Sequence, residues 1–314
     1  MLPTAVVGGY LAFIGWFCGQ SGVGLMAGVE ITHIWDWHLI LTKHRLMLTV
    51  PGILGGLFVY TAARKLRHMA VLPMCMLAII GLFYTAMYAT GTTVDEAREF
   101  GWITAADPSG PWQETWKFMR FDKVVWSALP QLTVTLISMT MVVALSSSLD
   151  IAAIELELNQ KLDYDNELMT VGLSNFLSGC TGGYTGSYIF SQTIFTLRSG
   201  VRDRFTGYTV AFCEMLIVVA PVPVIAYIPK LFFGSLLVMI CTDLMFEWLW
   251  QVREKLSGAE YCVCLGTFLI IMFIGVEWGI LAGIVLDWGV RKWEGKKDGN
   301  EEEKEQLVEG FVGA

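Results

Sequence analysis

Residues 178–195 read SGCTGGYTGSYIFSQTIF, a run with four glycines, three threonines and three serines. It interrupts a chain that is otherwise strongly apolar. Of 314 residues, 54% are hydrophobic and 16% charged, against about 25% charged in an ordinary soluble domain. Mean hydropathy is +0.55, so the composition is that of a polytopic membrane protein. In such a protein, non-helical backbone must be buried by protein or line a watery cavity, because lipid offers it no hydrogen bonds. The stretch therefore predicts one helix from 167, a glycine-rich break at 179–186, and a second, short helix to 197. A helix that starts mid-membrane leaves its first N–H groups unpaired and presents the positive end of its dipole. Thr185 and Ser187 stand where that helix would start, and their hydroxyls suit caps or ligand contacts. Broken helices of this kind hold anionic groups in secondary transporters. The competing reading is a seam of small residues that only packs helices together.

Outward from this break, apolar stretches of spanning length fall near 3–24, 46–63, 69–90, 124–149, 206–228 and 231–250. The run 259–290, with GVEWGILAG at its centre, predicts two short helices in a hairpin. The count comes to about 10 membrane segments, an all-α polytopic membrane fold. Tryptophans cluster near the expected ends (Trp35, Trp37, Trp126, Trp248, Trp250, Trp288), as an interfacial belt requires. Short loops carrying Arg64 and Lys65, Arg202 and Arg204, Arg253 and Lys255, and Arg291 and Lys292 favour cytoplasmic termini. The net charge of −8 comes largely from the tail after 290, whose EGKKDGNEEEKEQLVEG composition is that of a disordered segment.

The carboxylates come next. Asp150, in SSSLDIAAI, follows a long apolar span and is followed by more apolar residues, so it lies in or at the end of a membrane helix. An intramembrane carboxylate is costly and marks an ion or proton pathway. Ile154 and Glu157 share its helical face and Glu155 does not. Glu155, Glu157, Asp163 and Asp165 read as solvated groups at a helix end. Glu214 and Asp243 fall inside spans, and Glu277 at the hairpin turn. His33, His38 and His44 have no coherent metal spacing, and the seven cysteines read as small packing residues. No phosphate loop, nucleophile elbow or catalytic triad pattern is present. The residues imply no enzyme, no cofactor, no metal site and no nucleic-acid partner. The N-terminus carries no basic n-region or clear cleavage site.

The segment 162–207, LDYDNELMTVGLSNFLSGCTGGYTGSYIFSQTIFTLRSGVRDRFTG, resembles the sulfate permease (SulP) family, the solute carrier 26 type of anion transporter. Asn166, Glu167, Leu168, Gly172, Asn175, Gly183, Thr185, Gly186, Ser187 and Gly200 carry the likeness, and GVEWGILAGIVLDWG resembles the family's final helix. The resemblance implies two inverted repeats of seven helices, with substrate held between two half-helices at mid-membrane. On that plan the chain corresponds to helices five to fourteen. The first four helices and the STAS domain that commonly follows would lie outside it.

By resemblance, 1–123 holds gate-type helices with an outer loop at 91–123. Residues 124–205 hold core-type helices with the half-helix motif, 206–290 the remaining core and gate helices, and 291–314 a charged cytoplasmic tail. Substrate contacts are implied at Thr185, Gly186, Ser187 and Tyr188, and a coupling ion or cationic substrate at Asp150. Sodium-dependent members carry a Thr where Ile154 stands. Many anion transporters carry an Arg shortly after the T-G-S motif, where this chain has Tyr188, Ile189, Phe190 and Ser191.

The motif also resembles a fungal and protist vacuolar branch linked to basic amino acids. The expectation is a secondary transporter of a small inorganic anion, sulfate or bicarbonate, coupled to protons or sodium, in a vacuolar or plasma membrane. The alternatives are a basic amino acid carrier and a truncated, non-transporting membrane protein. The implied partners are a small-molecule or ion substrate, the lipid bilayer and a second copy in a homodimer.

Overall fold

The computed structural model describes residues 3–66, 68, 70–104, 114, 116–117, 119–158, 161–187, 193, 196, 203–219, 224–254, 256–276 and 278–292. Among them the regular structure is helical: α1 (Thr4–Ala27), α2 (Lys43–Leu66), α3 (Val71–Thr90), α4 (Val94–Phe100), α5 (Leu129–Leu158), α6 (Tyr164–Cys180), α7 (Phe205–Val219), α8 (Lys230–Met245), α9 (Gly258–Ile274) and α10 (278–292). Five segments among the described residues are long and apolar enough to cross a membrane: Thr4–Ala27, Lys43–Leu66, Val71–Thr90, Trp126–Ser148 and Lys230–Glu254. Contacts divide the chain into two units, 1–105 with 227–314, and 106–226.

The first unit is organised around α1, whose glycines let neighbouring backbones approach closely, as small residues do in membrane helix pairs. A Cβ at Gly15 would fall 2.9 Å from Leu244 Cβ, one at Gly19 2.6 Å from Cys241 Sγ, and one at Gly22 2.8 Å from Leu237 Cβ. The partner numbers descend as the glycine numbers rise, so α1 and α8 run antiparallel along a glycine seam. On another side, a Cβ at Gly9 would meet the Cys264 carbonyl oxygen at 2.5 Å, which seats α9 directly on α1. Helix α2 joins α8 through the buried Ser235, whose hydroxyl donates to the Gly52 carbonyl at 2.9 Å. That bond lies beside Pro51, which has no N–H to give the helix ladder.

The hairpin expected over 259–290 is present as α9 and α10, and Gly275 between them has φ +124°. Glu277 lies outside the described residues. The span expected at 231–250 departs from α-helix at Phe246, continuing as a π-turn to Trp250 and a 3₁₀ turn to Glu254.

The loop expected at 91–123 contains α4, closed by a capping box in which Thr93 and Glu96 satisfy each other's backbone amides. The chain after α4 pairs with the start of α8 through a bridge between Ile103 and Pro229 and the Lys230 amide on the Trp102 carbonyl at 2.8 Å. After α1, a 3₁₀ turn over Ile34–Leu41 is closed by Asp36, whose carboxylate accepts the His33 and Thr32 amides at 2.8 and 3.0 Å. Those two bonds hold its carboxyl below the ordinary value. His44 packs edge-on against Phe100, ring centroids 4.7 Å apart.

Candidate substrate site

The second unit holds the glycine-rich break. Helix α6 opens at Asp163, whose carboxylate accepts the Asn166 amide at 3.2 Å, so this residue caps a helix rather than only meeting solvent. The helix closes at Cys180, in a turn that carries the hydroxyls of Ser178 and Thr181. The Thr181 hydroxyl donates to the Leu177 carbonyl at 3.0 Å, and Gly182 takes φ +87°, a conformation that favours glycine. The Gly183 amide then returns to the Ser178 carbonyl at 2.8 Å. From there the chain runs back beside α6 without regular structure through Ser187.

Side chains of α6 hold this returning strand. The Ser178 hydroxyl donates to the Tyr184 carbonyl at 3.0 Å. Asn175 then grips Gly186 at both ends: its Oδ1 accepts the Gly186 amide at 2.7 Å and its Nδ2 donates to the Gly186 carbonyl at 2.9 Å. The side-chain amide thus does for Gly186 what a neighbouring β-strand would do. Gly186, with no helix or sheet partner, has both its backbone groups satisfied, as non-helical backbone in a membrane protein requires.

Helix α5 meets the strand one residue later. Ser147 is fully buried, donates its hydroxyl to the Val143 carbonyl at 2.8 Å, and lies 2.6 Å from the Ser187 hydroxyl. With its proton given to Val143, Ser147 accepts from Ser187. Asp150 follows Ser147 by three residues on α5 and shares its face; it is half-buried. Thr185 precedes Ser187 by two residues on the same irregular segment.

The structure therefore brings Ser187 to the α5 face that carries Asp150, with Thr185 and Gly186 on the same short strand. Tyr188, the fourth expected contact, lies outside the described residues. So do Ile189, Phe190, Ser191, Gly200, Arg202 and the side chain of Glu157.

Glu155 is not simply solvated. The Tyr164 hydroxyl pairs with its carboxylate, and its Oε2 is buried without a hydrogen bond. Asp243 belongs to the other unit, where its charge is felt at Tyr60; Arg64 sits over the Tyr60 and Phe246 rings at 5.1 and 4.6 Å. Glu214 is exposed on α7.

Two positions carry more than their sequence context announces. Ser147 and Asn175 form the frame of the site, yet their partners are 40 and 11 residues away and follow no helical period. Asp287 is 3% exposed on α10 and takes the Arg291 guanidinium at 2.7 Å, a pairing its spacing of four residues did signal.

The profile of the sulfate permease family matches residues 1–267. The vacuolar basic amino acid transporter VSB1 of Saccharomyces cerevisiae is 25% identical over 299 residues, 90% of this chain and 28% of that protein. The bicarbonate transporter BicA of Picosynechococcus is 21% identical over 300 residues, 91% of this chain and 50% of that protein. Among solved structures, SLC26A9 superposes with a TM-score of 0.62 at 15% identity, over 94% of this chain and 47% of the other. The chain thus spans half or less of the length of these relatives, while nearly all of it is matched.

Proposed function

Because the chain belongs to the sulfate permease family, we propose that it supplies the substrate-binding part of a secondary transporter for a small inorganic anion such as sulfate or bicarbonate. The observation that carries the proposal is the contact between Ser147 and Ser187. It holds the T-G-S strand, Thr185 to Ser187, against the α5 face of Asp150. The Thr185 hydroxyl and the main-chain amides of Thr185 and Ser187 on that strand are suited to bind an oxyanion. Tyr188 completes the proposed contacts, and Asp150 takes the coupling proton or sodium ion, with Ile154 removing the hydroxyl that sodium-dependent members offer. The multi-pass chain resides in a vacuolar or plasma membrane and works as a homodimer, by an elevator-like shift of one domain of the transporter against another.

The test is uptake of labelled sulfate and bicarbonate by the full-length transporter containing this segment. Ser187→Ala should lower uptake by roughly tenfold or more, because it removes the hydrogen bond to Ser147 that holds the strand in place. Asp150→Asn should abolish the dependence of uptake on pH or sodium. Unchanged transport in both variants would sink the site assignment.

A second reading has its own support. The match to the yeast vacuolar transporter extends over 90% of this chain, and residues 188–191 include no cation to pair with an anion. On this reading Asp150 receives a basic amino acid. Competition of uptake by arginine and not by sulfate would select it.

A further inference from the structure

The α9–α10 hairpin is short. At about 1.5 Å per residue, the 17 residues of α9 span about 25 Å, less than the roughly 30 Å of a bilayer's hydrocarbon. Its position on α1 is fixed by Gly9, which sits against Cys264 and Thr267. Ile271, one turn beyond Thr267, is therefore level with Phe13, one turn beyond Gly9. The hairpin ends near that height, whereas α1 continues to Ala27. The space left above the hairpin is a groove of about 860 Å³, with Phe13, Phe17 and Phe273 at its lower end and Glu30, Trp35 and Lys230 at its upper end. From Phe13 to Gly28 it follows α1 for 15 residues, or about 22 Å.

Three properties identify the occupant. The groove begins at hydrocarbon depth, where the solvent is acyl chain. Its polarity rises in one direction, from three phenylalanines to a rim with a carboxylate and an ammonium. Trp35, 81% exposed at that rim, is the residue type that sits at headgroup level. The rim charges are opposite: Lys230 lies over Gly28 and Glu30 follows Gly28 by two residues. A phosphate beside Lys230 and an ammonium beside Glu30 would match them. We propose that this groove is a site for one membrane phospholipid with a zwitterionic headgroup. One acyl chain fills the gap above the hairpin and the headgroup bridges Lys230 and Glu30. The lipid completes the membrane span that the short hairpin leaves open.

The proposal is independent of the transported solute. Its test is native mass spectrometry of the full chain, released into detergent from nanodiscs of mixed phosphatidylethanolamine and phosphatidylglycerol. The unsubstituted chain should retain one phosphatidylethanolamine. Lys230→Glu, which inverts the phosphate contact, should reduce its occupancy by roughly tenfold or more, as loss of a charged hydrogen bond does. Ser21→Phe, which fills the groove without touching a charge, should do the same and keeps the test decisive if Lys230→Glu does not fold. Equal retention by the folded variants, preference for phosphatidylglycerol, or displacement of the lipid by soluble phosphoethanolamine would each overturn the proposal.

Discussion

At the scale of single residues, Asn175 decides whether the T-G-S strand has a defined position. Its amide makes both hydrogen bonds of Gly186, and each such bond contributes about 0.5–1.5 kcal/mol net, more when the loss strands a partner. Asn175→Ala in the full-length transporter should therefore lower uptake by at least about tenfold at normal surface expression. Asn175→Asp, which keeps the acceptor and loses the donor, should fall between. Faster amide exchange at Gly186 in both variants would report the loosened strand directly; wild-type exchange and uptake in Asn175→Ala would refute the role. The glycines and hydroxyls of 178–187 made the break legible. The clamp was not, because a contact between Asn175 and Gly186 across a chain reversal leaves no period in the sequence. Ser147 was hidden for the same reason, inside a run of three serines whose other members looked equivalent.

At the scale of elements, apolar length and glycine placement read well and backbone contacts did not. The α9–α10 hairpin followed from a 259–290 run too long for one crossing, with glycines at its centre. Helix α4 was passed over as part of a loop, although Thr93-Val-Asp-Glu96 is a capping box in plain view. Its seven residues carry too little apolar periodicity to compete with the long spans around it. Which glycines hold helices together also needs the structure. Gly9 faces backbone at 2.5 Å, whereas Gly81 on α3 has nothing within 4 Å. Gly9→Ala should cost about 1–3 kcal/mol, as overpacking of a tight contact does, and lower the thermal midpoint in detergent. Gly81→Ala should be neutral or stabilising by up to about 1 kcal/mol. Equal midpoints for the two variants would contradict the packing described for α1 and α9.

At the scale of the whole molecule, the chain leaves its first unit after residue 105 and re-enters it at 227, so α8, α9 and α10 complete a bundle begun by α1. Nothing in the composition of 206–290 marks where that passage occurs, since α7 and α8 are both apolar. The distribution of Lys and Arg does speak to orientation. With Arg64 and Lys65 closing α2, and α3 crossing once more before α4, the two sites belong on opposite sides of the membrane. In sealed vesicles of known orientation, a membrane-impermeant maleimide should label cysteines placed at Lys65 and Asp95 from opposite faces, the one at Lys65 from the cytoplasmic side; the reverse pattern would invert the topology. The Asn175 clamp has an electrical consequence as well. A charge moved across the membrane exchanges about 2.3 kcal/mol with each 100 mV of potential, but an amide carries none. The strand is held with the same strength whatever the voltage; on the function proposed above, the electrical work of a transport cycle falls on Asp150 and on the charge of the solute.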